Sequence, residues 1–434
     1  MALSKKPYKG TRDFFPADKR VQDYIFNKMR EAASSFAFEP YDGPMVEEVE
    51  LYKAKSGEEL INDQIYSFTD RGDRFVAIRP EMTPTVARMV AQVHREIPKP
   101  IKWYSIPNLM RYEKPQRGRL REHWQLNCDI FGATGRSGEI EILQLITHLM
   151  KSFGATSEHF EVLINDREIV NTVFNELMKV DEETSYKLYK IIDRAKKVSP
   201  EALDKMINEL SLEESSVKIL KDYLGSNSFE SLFSFLDSHG KLEMVSGFKE
   251  LADIASKIGL SDYLVYDPTI VRGLDYYTGI VFEVFDKNPE NRRALCGGGA
   301  YANLLKIFNE NPVAGVGFGL GDVTLTDFLV THKLLPDFSK NEVDLYLTYQ
   351  SEEAVAKSFE LSTEIRSLGF KVLNSLGPIK FKKVFSNAEK NGAKFAGLLG
   401  ENELQGEFFQ LKNLETKESF EIKFSDLKEL KKYL

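Results

Sequence analysis

Arginines, amides and a carboxylate crowd residues 111–129, and from Arg121 to Asp129 they recur at alternate positions. Arg121, His123, Gln125, Asn127 and Asp129 fall on one side of a period-2 run, and Glu122, Trp124, Leu126, Cys128 and Ile130 on the other. A strand sends alternate side chains to opposite faces. One face, mostly apolar, therefore packs, and the other presents cations, amides and an acid to a polar, anionic ligand. The stretch before it carries Arg111, Arg117 and Arg119 around Pro115 and Gly118 and reads as a loop between two strands. Arginine suits phosphate because its planar fork donates paired hydrogen bonds and stays charged. A solvated basic hairpin would explain the arginines alone; Gln125 and Asp129 beside them tell against it.

Three further groups could do chemistry. In Arg79-Pro80-Glu81-Met82-Thr83-Pro84, a carboxylate and a hydroxyl sit at a strand-to-helix junction. Glu81 could hold an ammonium group with help from Thr83; plain helix capping by Thr83 is the competing reading. In Val271–Gly279, Arg272, Asp275, Tyr276 and Tyr277 cluster around Gly273 and Gly279. Aromatics with polar tips and a cation suit a small polar ligand with a flat ring, and a structural turn is an equal alternative. Glycines 297–299 and 315, 317, 319 and 321 could floor a nucleotide or serve tight sheet packing. Their spacing is neither a dinucleotide fingerprint nor a P-loop.

Other chemistry is disfavoured. The six histidines form no H-E-x-x-H, there is no G-x-S-x-G elbow, and the two cysteines are Cys128 and Cys296. Nothing there suggests a dedicated metal site or a covalent nucleophile. Positioning and electrostatics around a phosphate remain.

The elements that must hold these groups are readable in outline. Apolar spacing predicts a helix over 18–37 and another from Thr83, as N-cap, to about His94. Strands are expected at 74–81, 101–112 and 121–131, a helix at 139–152, strands at 263–266 and 279–286, and a helix at 300–308. A glycine-rich strand follows at 313–321. From 165 to 262 the pattern is helical throughout. The tail from about 341 alternates strand and helix, as a small α/β domain does. With 434 residues, 42% apolar and 29% charged, the chain suits a protein of two or three domains. The N-terminus has no signal-peptide pattern and no segment reads as membrane-spanning; a cytoplasmic location is expected. The net charge of −8 weighs against indiscriminate nucleic-acid binding without excluding a local basic site.

Together these segments resemble class II aminoacyl-tRNA synthetases, and within them the histidyl-tRNA synthetase family. Tyr8-Lys9-Gly10-Thr11-Arg12-Asp13-Phe14-Phe15-Pro16 is similar to that family's N-terminus, residues 18–50 to motif 1, 111–132 to motif 2, and 271–279 to the histidine-specific motif. Lys382–Ala388 and Ala396–Leu404 are similar to its anticodon-binding domain. The resemblance implies an α+β core, a mainly antiparallel sheet flanked by helices, at 1–164 and 263–330, a helical insertion at 165–262 and a small α/β anticodon-binding domain at 337–434. It implies a homodimer that joins L-histidine to tRNA-His through a histidyl-adenylate, using ATP and Mg2+.

Carried over by residue, Glu81 and Thr83 would hold the histidine α-amino group and Gln125 its backbone. Asp129 and Tyr276 would hold the imidazole from opposite ends, and Tyr277 would line that pocket. Arg111 and Arg272 would meet the ATP α-phosphate, and Arg119 the distal phosphates. The chain departs from the family pattern in three places. Thr324 stands where motif 3 carries an ATP-binding arginine, leaving Asp322 as the nearby charge. Ala300-Tyr301-Ala302 replaces Arg-Tyr-Asp, and Asp129 replaces a common Glu. The rival reading is a silent paralogue acting as the regulatory subunit of ATP phosphoribosyltransferase.

Overall fold

The alternating run is a strand, Glu122–Phe131, and a nine-stranded sheet is built around it. A computed structural model describes residues 3–53, 63–271, 277–338 and 342–434. From edge to edge the order is Glu39–Pro40, Ile101–Ser105, Glu122–Phe131, Gly315–Gly321, Cys296–Tyr301, Ile280–Asp286, Phe160–Asp166 and Leu264–Tyr266. Asn108–Met110 also pairs with Glu122–Phe131. The two outermost pairs are parallel and the inner neighbours antiparallel. The sheet is therefore the mainly antiparallel one that the motifs imply.

Helices cover both faces of the long strand. On one face, Gly138 at the start of helix Ser137–Ser152 packs so close that a Cβ there would lie 3.0 Å from Val316 Cγ1. On the other, Val86, Ala87 and Val90 of helix Thr83–Val93 pack with Ile101, Phe131 and Tyr301. Burying each large apolar side chain contributes about 1.5–3 kcal/mol. Two-sided cover explains why Leu126 through Phe131 are all buried, Asn127 and Asp129 included. On the polar face His123 and Gln125 stay half-buried, while Asn127 and Asp129 are covered.

Three expectations shift. The strand expected at 101–112 is two, Ile101–Ser105 and Asn108–Met110. Pro107 lies between them and has no N–H for the ladder; its carbonyl instead accepts from Gln125 N–H at 3.3 Å. The helix expected to be capped by Thr83 begins with it. Val86 N–H donates to Met82 O at 2.9 Å, Met82 is the cap residue, and no side chain caps this end. The helix expected at 300–308 is strand to Tyr301, where pairing with Gly315 ends, followed by a 3-10 turn at Leu304–Phe308.

The helical stretch joins two parallel neighbours, Phe160–Asp166 and Leu264–Tyr266. A parallel pair needs a long crossover, and this one contains five helices from Glu182–Arg194 to Ser246–Lys257. Asp181 and Ser199 cap two of them, accepting from Thr184 N–H at 2.8 Å and Ala202 N–H at 3.3 Å. Leu188, Ile192, Leu220, Leu232 and Leu251 bury their apolar stripes.

Chain contacts place Gln22–Leu335, with the N-terminal residues up to Asp13, in one compact unit and Pro336–Leu434, with Phe14–Val21, in a second. The second unit has its own five-stranded sheet, ordered Val372–Asn374, Val343–Tyr349, Ala393–Leu399, Phe408–Asn413 and Ser419–Lys423. Its first three strands are parallel and its last two antiparallel. Leu345, Leu347, Leu361, Ile365, Phe409 and Ile422 form its core. Among the described residues no helix is long and apolar enough to cross a membrane.

Candidate active site

The loop 111–121 is closed at its base by Arg111 N–H donating to Arg121 O at 2.8 Å. Gln116 and Arg119 bridge within it, and Gly118 turns it with φ +70°. The loop walls a cleft of about 1350 Å3, lined among others by Arg111, Arg119, His123, Gln125, Arg293 and Thr324. Arg111 Nε donates to Pro80 O at 2.8 Å. The Arg79-Pro80-Glu81 segment is itself anchored, Arg79 Nε to Asn108 O at 2.9 Å and Met110 N–H to Arg79 O at 3.1 Å. Half-buried Glu81 and Thr83 are therefore held on the segment that orients Arg111.

The loop arginines part company. Arg119 is ion-paired with buried Glu113, and Arg117 approaches Glu290 at 3.6 Å. Arg121, expected among the anion-handling groups, is absorbed in structure. Its Nε donates to Glu113 O at 3.1 Å, its Nη1 to Tyr8 Oη at 3.0 Å, and its guanidinium lies 4.0 Å from the Tyr112 ring centre. His123 stays in the cleft. Burial first, then Arg111, Arg12 and Arg119, push its pKa down to about 3, so it is neutral at physiological pH.

Register explains the glycine strand. Gly317 faces Asp129 and Gly321 faces Gln125. A Cβ at Gly319 would lie 2.5 Å from Gln125 Nε2, and one at Gly317 would collide with Asp129 Oδ1 and lie 2.8 Å from Tyr301 Oη. The missing side chains thus make room for the polar row. Tyr301 donates its hydroxyl to Asp129 Oδ1. Burial pushes the Asp129 carboxyl up to about 7, with the Tyr301 bond pulling the other way. A carboxylate can accept about four hydrogen bonds, and Tyr301 supplies one. Half-buried Tyr277 lies over Gly299, where a Cβ would be 2.8 Å from Tyr277 Cδ1, and its ring centre is 6.5 Å from that of Tyr301.

The structure thus brings Arg111, Arg119 and Gln125 to one cleft, and Asp129 and Tyr277 together through Tyr301. Arg272 and Tyr276 lie outside the described residues. Asp322 is not the lone nearby charge that the sequence suggested. It pairs with Arg12 at 2.8 Å and accepts from Trp124 N–H at 2.8 Å, tying the N-terminal segment to the long strand. Arg293 does not stand out in the sequence, and His123 and Tyr301, though they lie on the polar row and in the altered Gly-Gly-Ala-Tyr run, are given no role there. His123 shares the alternating face with Gln125, a signal that could have found it; Tyr301 and Arg293 carry no periodic signal.

Comparison with known proteins identifies the family. Residues 10–323 match the family model described as histidyl-tRNA synthetase, and residues 343–432 the anticodon binding domain. A histidine–tRNA ligase from Leptospira biflexa is 42% identical over 424 residues, covering 98% of this chain and 96% of the relative. The chloroplastic/mitochondrial histidine–tRNA ligase of Arabidopsis thaliana is 34% identical, covering 98% of this chain and 86% of its own. The crystal structure of histidyl-tRNA synthetase from Nostoc shares the fold, with a TM-score of 0.82 over 100% of both chains at 21% identity.

Proposed function

The chain belongs to the histidyl-tRNA synthetase family, and from that premise we propose how its residues carry the family's reaction. It is a class II aminoacyl-tRNA synthetase that charges tRNA with histidine, using ATP. The histidine carboxylate attacks the ATP α-phosphorus and pyrophosphate leaves. The adenylate then passes its histidyl group to the 3′-terminal ribose of tRNA-His, releasing AMP.

Arg111, oriented by Pro80, and Arg272 offset charge developing on the α-phosphate oxygens. Arg119 receives the distal phosphates. Glu81 and Thr83 hold the α-ammonium, Gln125 the amino acid backbone, and Asp129 and Tyr276 the two ring nitrogens, beside Tyr277. An analogue without a ring nitrogen would leave a buried partner unpaired, which is a strong basis for rejection. The observation that carries this reading is the single strand face that places Gln125 in the arginine-lined cleft and Asp129 beside Tyr301 two positions further in from Asn127.

Mg2+ binds through substrate phosphates and one or two carboxylates more often than in an all-protein cage. Among the described residues no group of three or more His, Cys, Asp or Glu could hold a metal alone. Glu113 and Glu283 are carboxylates of the cleft lining, which fits an ion delivered with the nucleotide. Bound there, it would neutralise phosphate charge. The working form is a homodimer in the cytoplasm.

The test is histidine-dependent exchange of pyrophosphate into ATP. Robust exchange is expected with histidine alone among the amino acids; its absence with pure, folded protein would sink the reading. A sharper check uses the glycine strand. Gly319→Ala needs no unusual backbone, and the three atoms nearest its Cβ all belong to the end of the Gln125 side chain, the nearest at 2.5 Å. It should raise the KM for histidine about tenfold while leaving the melting temperature nearly unchanged. Gly317→Ala, whose Cβ would lie 2.7 Å from the Cys128 carbonyl, should instead destabilise the fold.

A further inference from the structure

We propose that Arg293 is a further nucleotide-binding arginine, gripping the phosphate chain of ATP from the segment that meets the tip of the 111–121 loop. The proposal rests on the ligase reading of the cleft. Arg293 is half-buried, lines the cleft, and lies between strands Ile280–Asp286 and Cys296–Tyr301.

The loop that carries it is fixed from below. Asp286, its side chain fully buried, accepts from Asn288 N–H at 2.7 Å and from Asn291 Nδ2 at 2.6 Å, and meets His332 Nε2 at 2.7 Å. Asn291 Nδ2 also reaches Thr331 Oγ1 at 3.0 Å. At the far end, Leu295 N–H donates to Val284 O at 2.8 Å. A buried carboxylate that organises the turn before an arginine reduces the ordering needed when that arginine meets a ligand.

The two segments meet at Gly118. A Cβ there would lie 3.1 Å from Arg293 Cδ and 3.3 Å from Thr324 Cγ2. The Arg293 stem therefore rests on the tip of the loop that presents Arg119. The uncharged Thr324 hydroxyl is turned to Leu295 O at 3.4 Å and Gly321 O at 3.3 Å. On this wall the cation comes from position 293. Arg111, Arg119 and Arg293 thus border one cavity. Arg119 is already paired with Glu113, so a phosphate chain entering the cleft competes with that carboxylate, and a further arginine on the lining helps it do so. A polyphosphate supplies several anionic oxygens at once, and arginine pairs with each bidentately.

The test compares Arg293→Met, Arg293→Ala and Arg293→Lys in the full-length protein. Methionine keeps an apolar stem on Gly118 and removes the charge, so it separates phosphate binding from packing. The KM for ATP in exchange, and the Kd for ATP by titration calorimetry, should rise about tenfold or more in the Met and Ala variants. The KM for histidine should stay within about twofold, and lysine should restore part of the loss. An Arg293→Met protein that binds ATP as the wild type does would overturn the proposal, as would an equal rise for histidine and ATP. Wild-type protein that binds ATP but shows no histidine-dependent exchange would count against the ligase reading alone, and the calorimetric comparison would still decide the role of Arg293.

Discussion

Replacing Arg111 with alanine should lower histidine-dependent exchange by about a thousandfold, the scale lost when one preorganised donor to a developing anion is removed. Arg111 is half-buried, lines the cleft and is fixed through Nε to Pro80 O at 2.8 Å. That bond aims the rest of the fork, so little reorganisation is needed when charge grows on the α-phosphate. The loss should fall mainly on kcat, because the interaction strengthens as the pentacoordinate state forms. The Pro80 bond also steadies the segment bearing Glu81, so a smaller rise in the KM for histidine is expected too. Arg111→Lys restores the charge without the planar fork and should recover less than about a tenth of the activity. An Arg111→Ala enzyme whose exchange rate at saturating ATP stays within about tenfold of wild type would show that Arg111 does not stabilise the α-phosphate charge.

Arg111 is readable in the sequence from its place in the motif 2 resemblance, and the polar row that follows it is readable from its period. Alternation from Arg121 to Asp129 is a local signal, and the strand Glu122–Phe131 follows it. What alternation could not show is which members of a face share an environment. Arg121 lies on the same side as Gln125, yet its N–H donates to Gly10 O at 2.9 Å and its side chain is taken up by Tyr8 and Tyr112. The Tyr8 part of that capture depends on a segment distant in the chain. The glycine strand posed the same difficulty. Its spacing left nucleotide floor and sheet packing both open. Only the register, with Gly317 opposite Asp129 and Gly321 opposite Gln125, shows that the missing side chains accommodate the polar row. Thr83 has the residue type of a cap without the role, because the first helical bond is taken by the Met82 carbonyl, a backbone choice with no side-chain signature. The helices between 182 and 257 follow their apolar stripes, but the parallel pairing of the strands that flank them is non-local and leaves no trace in composition.

Asp129→Asn should make the protein more stable above neutral pH while lowering its use of histidine about a thousandfold or more. The two effects have one origin. Burial holds the Asp129 carboxyl at about 7 in the folded chain, against 3.8 as the ordinary value. The folded state thus binds this proton more tightly than the unfolded state does. The stability linked to it is fully present below about pH 4 and is lost as pH rises through 7. A shift of that size corresponds to stability on the order of 4 kcal/mol. Asparagine at 129 does not titrate and can still accept the Tyr301 hydroxyl through its own oxygen. Melting curves of the two proteins should therefore diverge between pH 4 and 7, with the variant gaining as pH rises. The same carboxylate is the acceptor proposed for an imidazole N–H, so the charge that costs stability is the one that selects the substrate. Asparagine offers a neutral acceptor and places an NH2 in the same pocket, where it opposes a ring N–H; sites built around such a bond discriminate by about 10^4. In the wild type, kcat/KM for histidine should climb as Asp129 ionises near pH 7, and the variant should lack that rise. Parallel melting curves across the pH range would mean that Asp129 is not the buried acid described. A variant that melts as expected yet exchanges pyrophosphate normally would mean that histidine is read elsewhere.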